Sequence, residues 1–183
     1  ISSFTSSGVA VDVGLLYASD DKPYTFTLVA RNIGTQLRTF NGVNENLPLR
    51  VAFGASYQLA HVPIKWYGTI DNLQEWDLSV PNPSNKKVDL NGEVTQEKIG
   101  FANNLLRHFI VGTELFSEKA INVRFGYNFR RSQELSLQNV RTFSGLSYGF
   151  GIKMKKIKLN YAYSKYHSAS NTSTFSLLIN LDE

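Results

Sequence analysis

The residues best suited to chemistry in this chain are His61, His108 and His167, its three histidines; Cys is absent. They lie far apart, at strand ends or turns, without the i, i+4 spacing by which one helix face grips zinc, so no metal, cofactor or catalysis is expected of them. Ser84-Asn85-Lys86-Lys87 repeats the spacing in which a serine attacks a carbonyl and a lysine assists proton transfer. That chemistry needs the serine at a buried helix start, with S-D-N and K-T-G partners. Here the tetrad follows Pro81-Asn82-Pro83 in a polar loop, and neither partner motif occurs. The run Gly145-Leu146-Ser147-Tyr148-Gly149-Phe150-Gly151 could suggest a phosphate cradle, but its alternation continues a strand, so its glycines are expected to make room. The expectation is a protein that is not an enzyme.

Composition narrows the class. The 183 residues are 42% hydrophobic and 19% charged, which suits one domain over residues 1–183. Twelve Phe, nine Tyr and two Trp accompany a mean hydropathy of only -0.21, so the aromatics are interleaved with polar residues. The net charge is +4, yet Lys86-Lys87, Arg130-Arg131 and Lys155-Lys156 are isolated pairs, and no nucleic-acid partner is expected. Without Cys the redox compartment stays open. No stretch approaches the roughly 18 apolar residues of a membrane helix. No basic-then-apolar leader precedes Ile1-Ser2-Ser3, so for an exported protein the chain reads as incomplete at its N-terminal side.

The elements that would position these residues show a period of two. In 49–59, Leu49, Val51, Phe53, Ala55, Tyr57 and Leu59 share one face against Arg50, Ala52, Gly54, Ser56 and Gln58. The same split recurs in 121–130, where Val123, Phe125, Tyr127 and Phe129 oppose Arg124, Gly126, Asn128 and Arg130. Further segments at 9–17, 24–32, 64–70, 108–116, 143–154, 157–166 and 173–181 give about nine strands. Many approach the ~9–11 residues of a tilted membrane strand rather than the ~5–6 of a soluble one. Short turns at 19–23, 61–63, 117–120 and 155–156 alternate with long connections at 34–48, 72–107 and 131–142 and a modest one at 167–172. Outer-membrane barrels have this asymmetry, with short periplasmic turns and longer extracellular loops. The first strand would then start outside, so an odd number of strands is expected before it.

Sidedness follows from cost, because Arg or Lys facing lipid near the midplane costs ~2–4 kcal/mol. Asp12, Arg31, Arg50, Glu114, Arg124 and Arg130 take the polar parity, with Lys65, Lys153 and Lys158, and the apolar parity is expected to be free of charge. The polar set is expected to line the interior, as a paired network rather than a conduction path. Tyr24, Tyr57, Trp66, Tyr127, Tyr161 and Tyr163 are candidates for interfacial girdles in contact with outer-membrane lipid. The competing fold is a soluble β-sandwich or lipocalin-like barrel with its apolar face inward. In the longest loop, Phe101 and Leu105 are spaced like one face of a short helix within 97–106. Trp76, Pro81, Lys86, Lys87 and Phe101 are the candidate docking residues there, a plug and a mobile surface loop being the alternatives.

Leu59-Ala60-His61-Val62-Pro63, Leu106-Arg107-His108 leading to Gly112-Thr113-Glu114, Gly126-Tyr127-Asn128-Phe129-Arg130-Arg131 before Glu134-Leu135, and Tyr166-His167 together resemble the PorQ family. That family comprises outer-membrane barrels of the Bacteroidota type IX secretion system, related to PorV and more distantly to the FadL fatty-acid transporters. The resemblance implies an all-β, 14-stranded transmembrane antiparallel barrel, a non-enzymatic role in protein transport, and docking of PorZ-like or PorU-like partners at the cell surface. It carries over no catalytic residue. The alternative it implies is a FadL-like channel for long-chain fatty acids or other hydrophobic solutes.

Overall fold

The computed structural model describes residues 5–39, 46–78, 87–88, 94–95, 98–135, 143–167 and 170–180, with 87–88, 94–95 and 166–167 described by their backbone alone. Within them the chain is all-β, built on one nine-stranded antiparallel sheet. Its strands are β1 (Ser7–Ala18), β2 (Tyr24–Arg38), β3 (Arg50–Gln58), β4 (Ile64–Ile70), β7 (Phe109–Leu115), β8 (Ile121–Asn128), β9 (Leu146–Met154), β10 (Ile157–His167) and β11 (Ser170–Ile179). Each pairs with its sequence neighbour, and β1 and β11 form the two edges. Between β4 and β7 lie a two-stranded ribbon, β5 (Lys87–Val88) with β6 (Val94–Thr95), and helix α1 (Phe101–Arg107). Helix α2 (Phe129–Glu134) follows β8. No helix among the described residues is long and apolar enough to cross a membrane.

Register carries the alternation across the whole sheet. Leu28 pairs with Leu15 and Phe53, Trp66 with Tyr57 and Thr113, Phe125 with Thr113 and Tyr148, and Tyr161 with Phe150 and Phe175. One face is therefore mainly aromatic and aliphatic, and it is open. Leu15 is 65% exposed, Phe125 46% and Phe175 72%, while Leu78, in a loop, is the one buried apolar side chain among the described residues. The chain exposes 13556 Å², about half as much again as the roughly 8900 Å² of a compact soluble monomer of this mass. A sandwich or lipocalin-like packing, with Phe53, Val123 and Phe125 at its centre, is absent from the described residues.

Several sequence boundaries move. β2 runs to Arg38 rather than stopping at 32, because a bulge at Asn32 (φ 57°) resets the parity. Asp12 Oδ1 accepts the Asn32 N–H at 2.8 Å, and Ile33 then rejoins the apolar face opposite Val11. β8 ends at Asn128, not at 130: the Asn128 side chain accepts the Arg131 N–H at 2.9 Å and starts α2, so Phe129 and Arg130 leave the sheet although their parity fits it. The modest connection at 167–172 is mostly strand, since β10 reaches His167 and β11 begins at Ser170. β4 keeps its expected bounds, 64–70, and it, β7 and β8 are only 7, 7 and 8 residues long, because helices and loops take over at their far ends.

Candidate functional site

The polar face opposes the exposed apolar one, and it is concave. One cavity of about 1130 Å³ is lined by the β1–β2 turn, by Gln58, Lys65, Glu114 and Arg124, and by Lys158 of β10. β2 and β10 are six strand steps apart, roughly 29 Å in a flat sheet at ~4.8 Å per step, so the sheet curls toward this face.

A hydrogen-bonded belt crosses it. Tyr67 O–H donates to Glu114 Oε2 at 2.6 Å, and Arg124 Nε donates to Glu114 Oε1 at 3.1 Å. Arg124 Nη1 reaches Asn160 Oδ1 at 3.2 Å, and Asn160 Nδ2 reaches Ser176 Oγ at 3.4 Å. Glu114 is buried, so a carboxylate without these partners would be costly there. The glycines of β9 clear the way, as their place on the alternation suggested. A Cβ on Gly149 would lie 2.4 Å from the Tyr161 carbonyl oxygen, and one on Gly151 2.6 Å from Asn122 Oδ1.

At the end of the sheet that carries the longer connections, Arg50 forms a bidentate ion pair with Asp71, its Nε donating to Oδ1 at 2.7 Å. Arg31 stands directly beside Arg50 in the β2–β3 register. Of the six predicted polar residues, Glu114 and Arg124 meet in the belt. Arg31 and Arg50 adjoin at this end, and Asp12 caps the bulge. Arg130 is the correction: it sits in α2, donating from Nε to Glu134 Oε1 at 2.7 Å, and takes no part in the strand face. Sequence reasoning missed Tyr67, Asp71, Asn160 and Ser176. Asp71 was legible, since it extends the polar parity of β4 by one step.

Over the same end, residues 71–78, α1 and α2 form a cap around buried polar groups. His108 presents Nδ1 to the Asp71 carbonyl oxygen at 2.7 Å and Nε2 to the Trp76 carbonyl oxygen at 3.0 Å. Asn104 accepts the Leu78 N–H at 2.9 Å and donates to the Trp76 carbonyl at 2.7 Å. Arg107, 3% exposed, donates to the Leu78 carbonyl at 3.2 Å and lies 3.9 Å from Glu134. Trp76 stacks on His108 and meets Phe101 at a tilt, and Trp76 and Phe101 are both exposed. Of the other docking candidates, Pro81 and Lys86 lie outside the described residues, as does Ser84, and Lys87 is described only by its backbone in β5. His61 is in the β3–β4 turn with φ 67°, and His167 ends β10.

On the apolar face the aromatics fall into two belts. Tyr17, Tyr24, Tyr57 and Trp66 gather at the short-turn end; Tyr127, Tyr148 and Tyr163 gather at the other, with the Tyr148 and Tyr163 rings 4.8 Å apart. Tyr17 and Tyr148 were not foreseen as belt members, and Tyr161 sits one step inside. The face is not wholly free of charge as expected: Lys165 shares its parity, beyond Tyr163 at the margin. Between the belts no charged side chain stands on it.

The class these features define is an all-β protein with one curved antiparallel sheet, polar on its concave side and apolar on its convex side. Compared with protein-family models, curated proteins and solved structures, the chain matches none of them.

Proposed function

We propose that this chain forms most of the wall of a bacterial outer-membrane β-barrel, with the convex face against lipid and the concave face lining the interior. The observation that carries this reading is the open apolar face bounded by two aromatic belts, because a soluble protein rarely exposes a contiguous apolar patch above a few hundred Å². Nine antiparallel strands leave β1 and β11 parallel to each other, so closure needs an odd number of further strands. The 14-stranded, FadL-like architecture implied by the PorQ resemblance has that count. Its role would be non-enzymatic: holding secreted or surface partners of a type IX secretion system, PorZ-like or PorU-like, through the loops around the cap. The alternative, a fatty-acid channel, calls for an apolar interior, whereas the 1130 Å³ cavity on the concave face has Lys65, Glu114, Arg124 and Lys158 among its lining residues.

Trp66 and Trp76 are the two tryptophans of the chain, which makes the barrel reading directly testable. With Trp76→Phe in the full-length protein, reconstituted in brominated phosphatidylcholine, Trp66 fluorescence should be strongly quenched and acrylamide should have little effect. Quenching by acrylamide alone would overturn the barrel reading. For docking, deletion of residues 81–87 should abolish co-purification of surface partners from the native membrane; unchanged co-purification would remove that loop from the proposal.

A further inference from the structure

A groove of about 430 Å³ lies on the polar face between β2, β3 and β4, within the size range of small-molecule sites. Small side chains make the space: Thr27, Ala52, Gly54 and Thr69 line it, and a Cβ added at Gly54 would meet nothing closer than 3.8 Å. Its charge is one-sided. Its lining holds the cations Arg31, Arg50 and Lys65 and the carboxylate of Asp71, and Asp71 and Arg50 are paired with each other. Arg31 is exposed and has no ion-pair partner among the described residues. Asp12, opposite it at the bulge, gives Oδ1 to the Asn32 N–H and forms no ion pair with it. Arg31 adjoins the Arg50–Asp71 ion pair from the neighbouring strand, so its guanidinium is the cation an incoming anion would meet. Thr25, Thr27, Ser56 and Thr69 add hydroxyls along the walls, beside the apolar Val29, Ala52, Ala55 and Ile110.

We infer that this groove binds a compact, hydroxylated organic anion, its carboxylate or phosphate held by Arg31 beside Arg50 and its body lying over Gly54 toward Thr69. The inference goes beyond partner docking and rests only on the concave face being a wetted interior.

Calorimetric titration of the full-length protein in non-ionic detergent tests it, with gluconate and glucose 6-phosphate as carboxylate and phosphate probes, glucose as the neutral control and octanoate as the apolar-tailed one. At least one hydroxylated anion should bind about tenfold or more tightly than glucose. Raising chloride should weaken that binding in the unmodified protein. Arg31→Met should weaken it about tenfold, and Gly54→Val, which fills the groove, comparably, while Lys153→Met outside the groove should leave it unchanged. Each variant's strand content is checked by circular dichroism. Equal binding of glucose, binding of octanoate alone, no binding at roughly 10 mM probe, or an unaffected Arg31→Met protein would each overturn the assignment. Absent anion binding with Trp66 still quenched from lipid sinks this inference alone; Trp66 quenched only from water sinks the barrel reading.

Discussion

Arg124 on β8 reaches over the whole of β9 to place Nη1 3.2 Å from Asn160 Oδ1 on β10, and it does so because the intervening strand presents Gly149 and Gly151 beneath it. A Cβ on Gly151 would lie 3.0 Å from Asn160 Oδ1, the oxygen that accepts from the guanidinium. The belt on the concave face is thus continuous across strands that do not touch one another, which ties the curvature of the sheet to its polar chemistry.

Gly151→Val should therefore destabilise the fold by about 1–3 kcal/mol, as overpacking does, since its Cβ would lie 2.6 Å from Asn122 Oδ1 and 3.0 Å from Asn160 Oδ1. Gly149→Val should cost more, because its clash is with the Tyr161 backbone. Gly68→Ala, with open space at its Cβ, should be neutral to within about 0.5 kcal/mol. Urea unfolding in detergent, followed by strand circular dichroism, ranks the three; equal stabilities would contradict the crowding.

Glu114 anchors the belt. Glu114→Ala should cost about 2 kcal/mol, below the cost of breaking a fully buried pair because the Arg124 side chain is 37% exposed. Adding Arg124→Leu should recover part of that loss, since it removes the charge left without its partner. A double-mutant cycle measures the coupling, and simple additivity would show that the pair does not act as a unit.

Much of this was readable beforehand, and the misses share a cause. Nine sheet strands and the faces of Asp12, Arg31, Arg50, Lys65, Glu114, Arg124, Lys153 and Lys158 follow from period two alone, whereas Arg38 falls in a stretch that reads as a connection. Alternation says nothing about where a chain leaves the sheet: Phe129 and Arg130 keep the rhythm of β8, yet the Asn128 cap turns them into a helix. It also cannot pass a bulge, which is why β2 was cut short at Asn32. Tyr67 escaped notice because it is aromatic on the polar parity, and its role depends on Glu114, 47 residues away.

The bulge makes its own prediction. Asn32 holds φ 57°, a region costly to β-branched residues, so Asn32→Val should destabilise by about 1–2 kcal/mol while Asn32→Gly is tolerated. Asp12→Ala should cost about 1 kcal/mol through the lost Asn32 N–H bond. Equilibrium unfolding of the three variants separates the two effects.

The cap should loosen independently of the sheet. His108→Leu removes the ring that meets the Asp71 carbonyl at a buried position, while the Trp76 carbonyl keeps Asn104, a loss of about 1–3 kcal/mol. The Leu78 amide, bonded to Asn104, should then exchange with solvent much faster, while amides in β9 and β10 hold their rates. Uniform acceleration would mean that the cap and the sheet unfold as one unit.

The sidedness of the sheet has the sharpest consequence. Phe125 is 46% exposed, and in water an Arg at so open a site would change stability by less than about 0.5 kcal/mol. Against hydrocarbon the same substitution costs about 2–4 kcal/mol near the midplane. Phe125→Arg and Phe150→Arg should therefore be markedly destabilised when folded into lipid vesicles, whereas Thr27→Lys, on the concave face, should not. Urea titration of vesicle-reconstituted protein gives the three values. Comparable stability for all three would mean that the convex face meets water, and the two aromatic belts would then need a different explanation.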